Sequence, residues 1–323
     1  MQTLSFTKSK SHKMKTLPLL LILFSTALAI GQEKKICISI DDVPAVKYNS
    51  KNRNLDKEIT LKLIKTFKEY SIPAIGFVNE KKLYKKGKLD STKLELLHLW
   101  LKNGCDLGNH TYSHFDYNNV PESDYFKDII DGQEVTKPLL NEYGKTIKYF
   151  RHPYLHTGSD SLKAIKLQEF LSENGYTSCP VTIDNDDYLF AKAYHIALTK
   201  NDNSMAATIA ENYIDYMEKI LLLFERKSTE VFGKNIAQSL LIHASLLNAD
   251  YLDELAMLYK KHGYTFVSQE EVLNQKEYAT EINTYSSRGL SWIYRRGMSL
   301  GKGDDIMSES IDVPDAIIQY AKE

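Results

Sequence analysis

Between residues 36 and 267 the chain repeats one unit seven times: a short apolar run, then a longer segment whose apolar residues recur at helical spacing. The runs are 36–40, 74–78, 105–108, 147–150, 176–183, 239–242 and 264–267. Between them, sets such as Leu55, Ile59, Leu63, Ile64 and Phe67, or Ile209, Tyr213, Met217, Ile220 and Phe224, each mark one face of a helix. Strand-then-helix units imply a parallel sheet, most simply a closed or nearly closed barrel. The fold class is therefore α/β, a distorted (β/α)7 barrel. One helix is expected between Ser123 and Asn141, and residues 189–203 read as irregular.

The polar residues that end these runs carry the functional signal. Asp41 and Asp42, His110 and His114, Arg151, Asp187 and His243 each follow an expected strand, so a barrel gathers them at its C-terminal mouth. His110 and His114 are four apart, and on a helical turn both imidazoles face one ion. Asp41 and Asp42 converge only if the first strand ends there, because successive strand residues point to opposite faces. Pro44, which cannot donate to a ladder, agrees with such an ending. Each feature alone has a plain reading: an incidental histidine pair, a solvated Asp-Asp turn, a surface arginine, a turn at 184–187, a core histidine.

Composition narrows the partners. A formal charge of -1 leaves no basic footprint for nucleic acid. Lys8, Lys10, Lys13 and Lys15 precede a 14-residue apolar run, Leu17–Ile30, with Ala27, Ala29 and Gly31 as small residues for a signal peptidase. A bilayer span needs roughly 20 residues, so residues 1–31 read as a cleaved export leader rather than a stable membrane anchor. Export would place the mature chain in the periplasm or outside the cell. Cys37, Cys105 and Cys179 are odd in number, sit in or beside apolar runs and lack Cys-x-x-Cys spacing, so they read as buried free thiols. The expected organisation is a leader at 1–31, the barrel at 32–275 and a C-terminal extension at 276–323 packed on the barrel or a partner.

In order along the chain stand Asp41-Asp42, His110-Thr111-Tyr112-Ser113-His114, Arg151-His152-Pro153-Tyr154, Asp184-Asn185-Asp186-Asp187-Tyr188 and Leu241-Ile242-His243. This series resembles the motifs of the polysaccharide deacetylase family, the family 4 carbohydrate esterases with a NodB-like domain, over residues 36–275. The resemblance implies a distorted (β/α) barrel that removes N-acetyl, or sometimes O-acetyl, groups from a glycan such as peptidoglycan or a chitin-type oligosaccharide. It implies that Asp42, His110 and His114 hold the metal and that Asp41 is the general base. Arg151 would orient that base, and the backbone N–H of Tyr154 would help bind the oxyanion. His243 would be the general acid, tuned by Asp187. Two positions depart from the family: Val43 stands where it usually has Gly, and Tyr188 where it has Trp.

A divalent ion with His2Asp ligation and open positions can polarise a carbonyl and acidify water. Zinc suits these ligands, and nickel or cobalt would be accepted. The competing expectation is a carbohydrate-binding or envelope protein on a catalytically decayed barrel, motivated by Val43, Tyr188 and residues 276–323.

Overall fold

The computed structural model describes residues 1–5 and 33–323, so the expected leader, with its apolar run at 17–30, lies outside the described residues. From residue 34 onward, strands and helices alternate. The order is β1 (Lys34–Val43), α1 (Leu55–Tyr70), β2 (Ile75–Val78), a short hairpin β3 (Tyr84–Lys85) and β4 (Lys88–Leu89), then α2 (Ser91–Lys102) and β5 (Asp106–Asn109). Next come α3 (Glu122–Asp131), α4 (Thr136–Glu142), β6 (Tyr149–Phe150), α5 (Ser161–Glu173) and β7 (Thr177–Ser178). The second half comprises α6 (Asp187–Thr199), α7 (Asn203–Phe232), β8 (Gln238–His243), α8 (Leu246–Lys261), β9 (Tyr264–Phe266), α9 (Gln269–Leu273), α10 (Trp292–Ser299) and α11 (Asp315–Tyr320).

All seven expected strands are present and pair in parallel, in the order β7-β6-β5-β2-β1-β8 with β9 on β1. Beyond β7 the chain bridges back to β8 at Ile183 and Leu240, so the curled sheet nearly closes into the expected distorted (β/α) barrel. The β3–β4 hairpin carries no apolar alternation and was not expected. Residues 189–203 are not irregular: α6 spans most of them, with Phe190, Ala191, Ala193, Tyr194 and Ala197 buried. Its hydrophobic face is made largely of alanine, too small to stand out as a periodic apolar stripe. The single helix expected at 123–141 is two, α3 and α4, separated by a turn at Gly132.

β1 explains how an apolar run delivers polar chemistry. Ile36, Ile38 and Ile40 point outward and join the core under the helices, whereas Cys37, Ser39 and Asp41 are also buried but face the barrel interior. The outer face therefore supplies hydrophobic stabilisation while the inner face is free to carry polar groups toward the mouth. The three cysteines are buried and unpaired. Residues 276–323 belong to the same compact unit as the barrel. The N–H of Trp292 donates to the carbonyl of Val181 at 2.7 Å, and Ser291 Oγ to that of Thr182 at 2.7 Å. No described helix is long and apolar enough to cross a membrane.

Candidate active site

Asp41 and Asp42 do converge, but not because the strand stops. β1 continues to Val43 through a register irregularity after Ile40, and Asp42 takes a left-handed backbone with φ 68°. The irregularity is a bulge, which re-aims one side chain without ending the ladder. Asp41 stays in register opposite His243 of β8, so the two side chains rise from neighbouring strands on the same face. Val43 packs over Gly76, where a Cβ would lie 2.9 Å from Val43 Cγ2.

The helical turn expected at His110 and His114 is a loop. Thr111 and His114 have φ 60° and 61°, and side chains take the backbone donors that a helix would use. Asn109 Oδ1 accepts from the Thr111 N–H at 2.7 Å, Thr111 Oγ1 from the His114 N–H at 3.0 Å, and the Asp128 carboxylate from the Ser113 N–H at 2.9 Å. The rings nevertheless meet, with centroids 4.8 Å apart.

Asp42, His110 and His114 each offer one ligand atom, all within 4.8 Å of one another. His110 Nδ1 lies 2.8 Å from the carbonyl of Arg151. Only an N–H can bond a carbonyl, so the tautomer is fixed with the Nε2 lone pair toward Asp41 and Asp42. Burial, and then the charge of His114, holds His110 well below the usual histidine pKa, and burial likewise lowers His114. Both rings are thus neutral, as ligation requires. Burial pushes the Asp42 carboxyl up, but Lys82, His114, His243 and His110 more than offset this and leave it ionised. The donor set fits a divalent cation.

Around this triad lie Asp41, Arg151, Asp187, His243 and Tyr154. Asp41 is 2% exposed; its Oδ1 lies 3.8 Å from Arg151 Nε and its Oδ2 3.8 Å from His110 Nε2. Burial raises the Asp41 carboxyl to about 6, with Arg151 opposing. Arg151 is fully buried, donates from Nη2 to Ser39 Oγ at 2.9 Å and lies over the Phe77 ring. Asp187 does not directly follow a strand; it is the first residue of α6, beyond the stretch that bridges to β8. Its carboxylate accepts from His243 Nδ1 at 2.7 Å, from the His243 N–H at 2.8 Å and from Asn248 Nδ2 at 2.6 Å. Burial pushes His243 down, but Asp187 and the nearby Asp42 and Asp41 outweigh it and raise the ring to about 9. Tyr154 stands edge-on to His114, ring centroids 4.6 Å apart, and Tyr188 edge-on to His243.

Three participants were not read from the sequence. Lys82, in the 3-10 turn Glu80–Leu83 after β2, places Nζ 3.2 Å from Asp42 Oδ1. Asn248 braces Asp187 from α8. Gly289, in the C-terminal extension, packs so closely on Tyr154 that a Cβ there would collide with the Tyr154 carbonyl oxygen. Tyr154 and Leu155 both have left-handed backbones, φ 57° and 55°, and Asn118 Nδ2 ties the neighbouring loop to the Ser287 carbonyl at 3.1 Å. A Gly289→Ala protein should fold but shift the Tyr154 peptide. A crystal structure of the variant should show the Tyr154 carbonyl displaced. An unmoved Tyr154 peptide would mean that the Gly289 segment yields instead.

The polysaccharide deacetylase family model matches residues 30–171. That stretch is similar to a polysaccharide deacetylase domain. Among solved structures, the polysaccharide deacetylase Bc1974 from Bacillus cereus is 18% identical with a TM-score of 0.51, over 80% of this chain and 100% of that one. A family 4 carbohydrate esterase from Bacillus anthracis is 19% identical with a TM-score of 0.45, over 75% and 83% of the two chains. BA3943, a family 4 pseudoenzyme from Bacillus anthracis, is 12% identical with a TM-score of 0.44, over 75% and 66%. No curated protein matches. The match to the deacetylase domain ends within α5, while Asp187 and His243 come from the later part of the barrel.

Proposed function

We propose that this protein is a divalent-metal-dependent deacetylase that hydrolyses N-acetyl groups of a glycan. Asp42, His110 and His114 hold the ion, for which zinc is the best fit and nickel or cobalt acceptable substitutes. The observation that carries this reading is the gathering of that donor set beside two opposed proton-transfer groups, Asp41 and His243. The bound ion supplies Lewis-acid polarisation of the acyl carbonyl and lowers the pKa of water. Asp41 takes the proton of the attacking water, and its elevated pKa makes it a competent acceptor near neutrality. Arg151 keeps the carboxylate oriented, and the backbone N–H of Tyr154 receives the developing oxyanion. His243, with Nδ1 bonded to Asp187, delivers the proton on Nε2 to the amine as the C–N bond breaks, and acetate and a free amine leave. Residues 1–31 keep their reading as an export leader, which would put this reaction in the periplasm or outside the cell.

The test is acetate release from chitooligosaccharides, peptidoglycan and acetylated xylan before and after chelation. Stripped protein should be inactive and regain turnover with zinc; turnover indifferent to chelator would end the metal-dependent reading. The pH profile supplies a further check. Turnover requires Asp41 ionised and His243 protonated, and a nearby cation favours the deprotonated form of each, so with metal bound turnover should rise below about pH 6 and fall below about pH 9. Asp187→Asn removes the largest influence holding the His243 proton, so the alkaline limb should move to lower pH by more than about one unit. An alkaline limb that stays in place would detach His243 from the acid step.

The second reading, a barrel that binds glycan without hydrolysing it, is favoured by Lys82, whose ammonium competes with a cation for Asp42. It predicts glycan retention with no acetate released at saturating zinc.

A further inference from the structure

A cavity of about 750 Å³ lies between α5, the stretch from β7 to Val181 and the 273–295 segment. None of Asp42, His110, His114 or His243 lines it. Its size falls in the range of small-ligand pockets, and Tyr278, Leu290 and Trp292 give it an apolar wall.

Its polar lining includes buried nitrogen atoms without a partner. Arg295 borders the cavity half-buried, and no described carboxylate lies within ion-pair distance of its guanidinium. Burial depresses its pKa to about 10, with Tyr285 opposing. His152 is 7% exposed; Nε2 meets Ser178 Oγ at 2.8 Å, and Nδ1 is buried without a partner. Arg151 borders the same space with Nη1 buried and unbonded. Desolvated cations and donors without acceptors are costly, and an anion in the cavity would satisfy them together.

We propose that this cavity is a binding site for a small organic carboxylate, with the Arg295 guanidinium as its principal partner and His152 Nδ1–H as a second donor in the tautomer whose Nε2 accepts from Ser178 Oγ. A planar guanidinium matches a carboxylate in bidentate fashion. Glu169 and Glu281 stand exposed at the rim, so a monoanion enters against less repulsion than a phosphate dianion. An apolar or sugar ring bearing the carboxylate would rest against Tyr278 and Trp292. The proposal does not depend on the deacetylase reading.

The experiment is calorimetric titration of the full chain with glucuronate, benzoate and acetate, with glucose as the uncharged control and inorganic phosphate as the competing anion. His110→Ala protein, whose metal triad is broken, is titrated in parallel. At least one carboxylate should bind saturably at millimolar or lower Kd in both proteins, glucose should not bind, and phosphate should bind more weakly. Arg295→Gln should weaken binding at least tenfold and leave zinc affinity unchanged, with Arg295→Lys between. No saturable carboxylate binding, binding lost in His110→Ala, tighter binding of phosphate, or full affinity in Arg295→Gln would each overturn the assignment.

Discussion

An Asp41→Asn protein should bind zinc with nearly wild-type affinity yet release acetate about 10²–10⁴-fold more slowly, the range that general-base catalysis supplies. The amide keeps the shape of the carboxylate, so Asp42, His110 and His114 retain their mutual geometry. What is lost is a proton acceptor between Arg151 and His110. The substitution also leaves the fully buried Arg151 without its carboxylate, which should lower thermal stability. The decisive comparison is therefore zinc content against turnover in protein shown to be folded at the assay temperature. Turnover within a few-fold of wild type would remove Asp41 as the base.

The largest expected loss follows His110→Ala. His110 is 2% exposed, its tautomer is fixed by the Arg151 carbonyl, and it is one of only three groups in the triad. Two remaining ligands, Asp42 and the partly exposed His114, do not make a tight site for zinc, which takes three protein ligands in catalytic centres. Elemental analysis should find metal at background. Acetate release should fall about 10³-fold or more and fail to recover in millimolar zinc, because the Lewis acid is absent rather than misplaced. Stoichiometric zinc in the purified variant would show that the ion sits elsewhere.

The two substitutions separate holding the ion from moving the proton, a division that rests on backbone geometry. Asp42 reaches the histidines only because β1 bulges there, and His114 reaches His110 through left-handed residues in a loop. Neither conformation has a local signature in Ile-Asp-Asp-Val-Pro or His-Thr-Tyr-Ser-His. The acceptors that hold the loop include Asn109 and Asp128, which lie outside that stretch. A helical turn was a reasonable expectation from spacing, and it failed because side chains captured the backbone donors. Lys82 escaped notice because it lies in a turn four residues past β2, and a lysine among exposed lysines has no pattern of its own.

The order and type of the strands, and the kinds of residue that follow them, were legible in the sequence alone. Hydrophobic period and abrupt polar ends are properties of adjacent residues, and a parallel barrel leaves such ends only one rim to share. The precise meeting of Asp41 with His243, the pressure of Gly289 on the Tyr154 peptide and the cavity beside Arg295 were decided by tertiary structure. Each depends on strand register or on close contact between segments distant in the chain, and those are set by how the whole core packs.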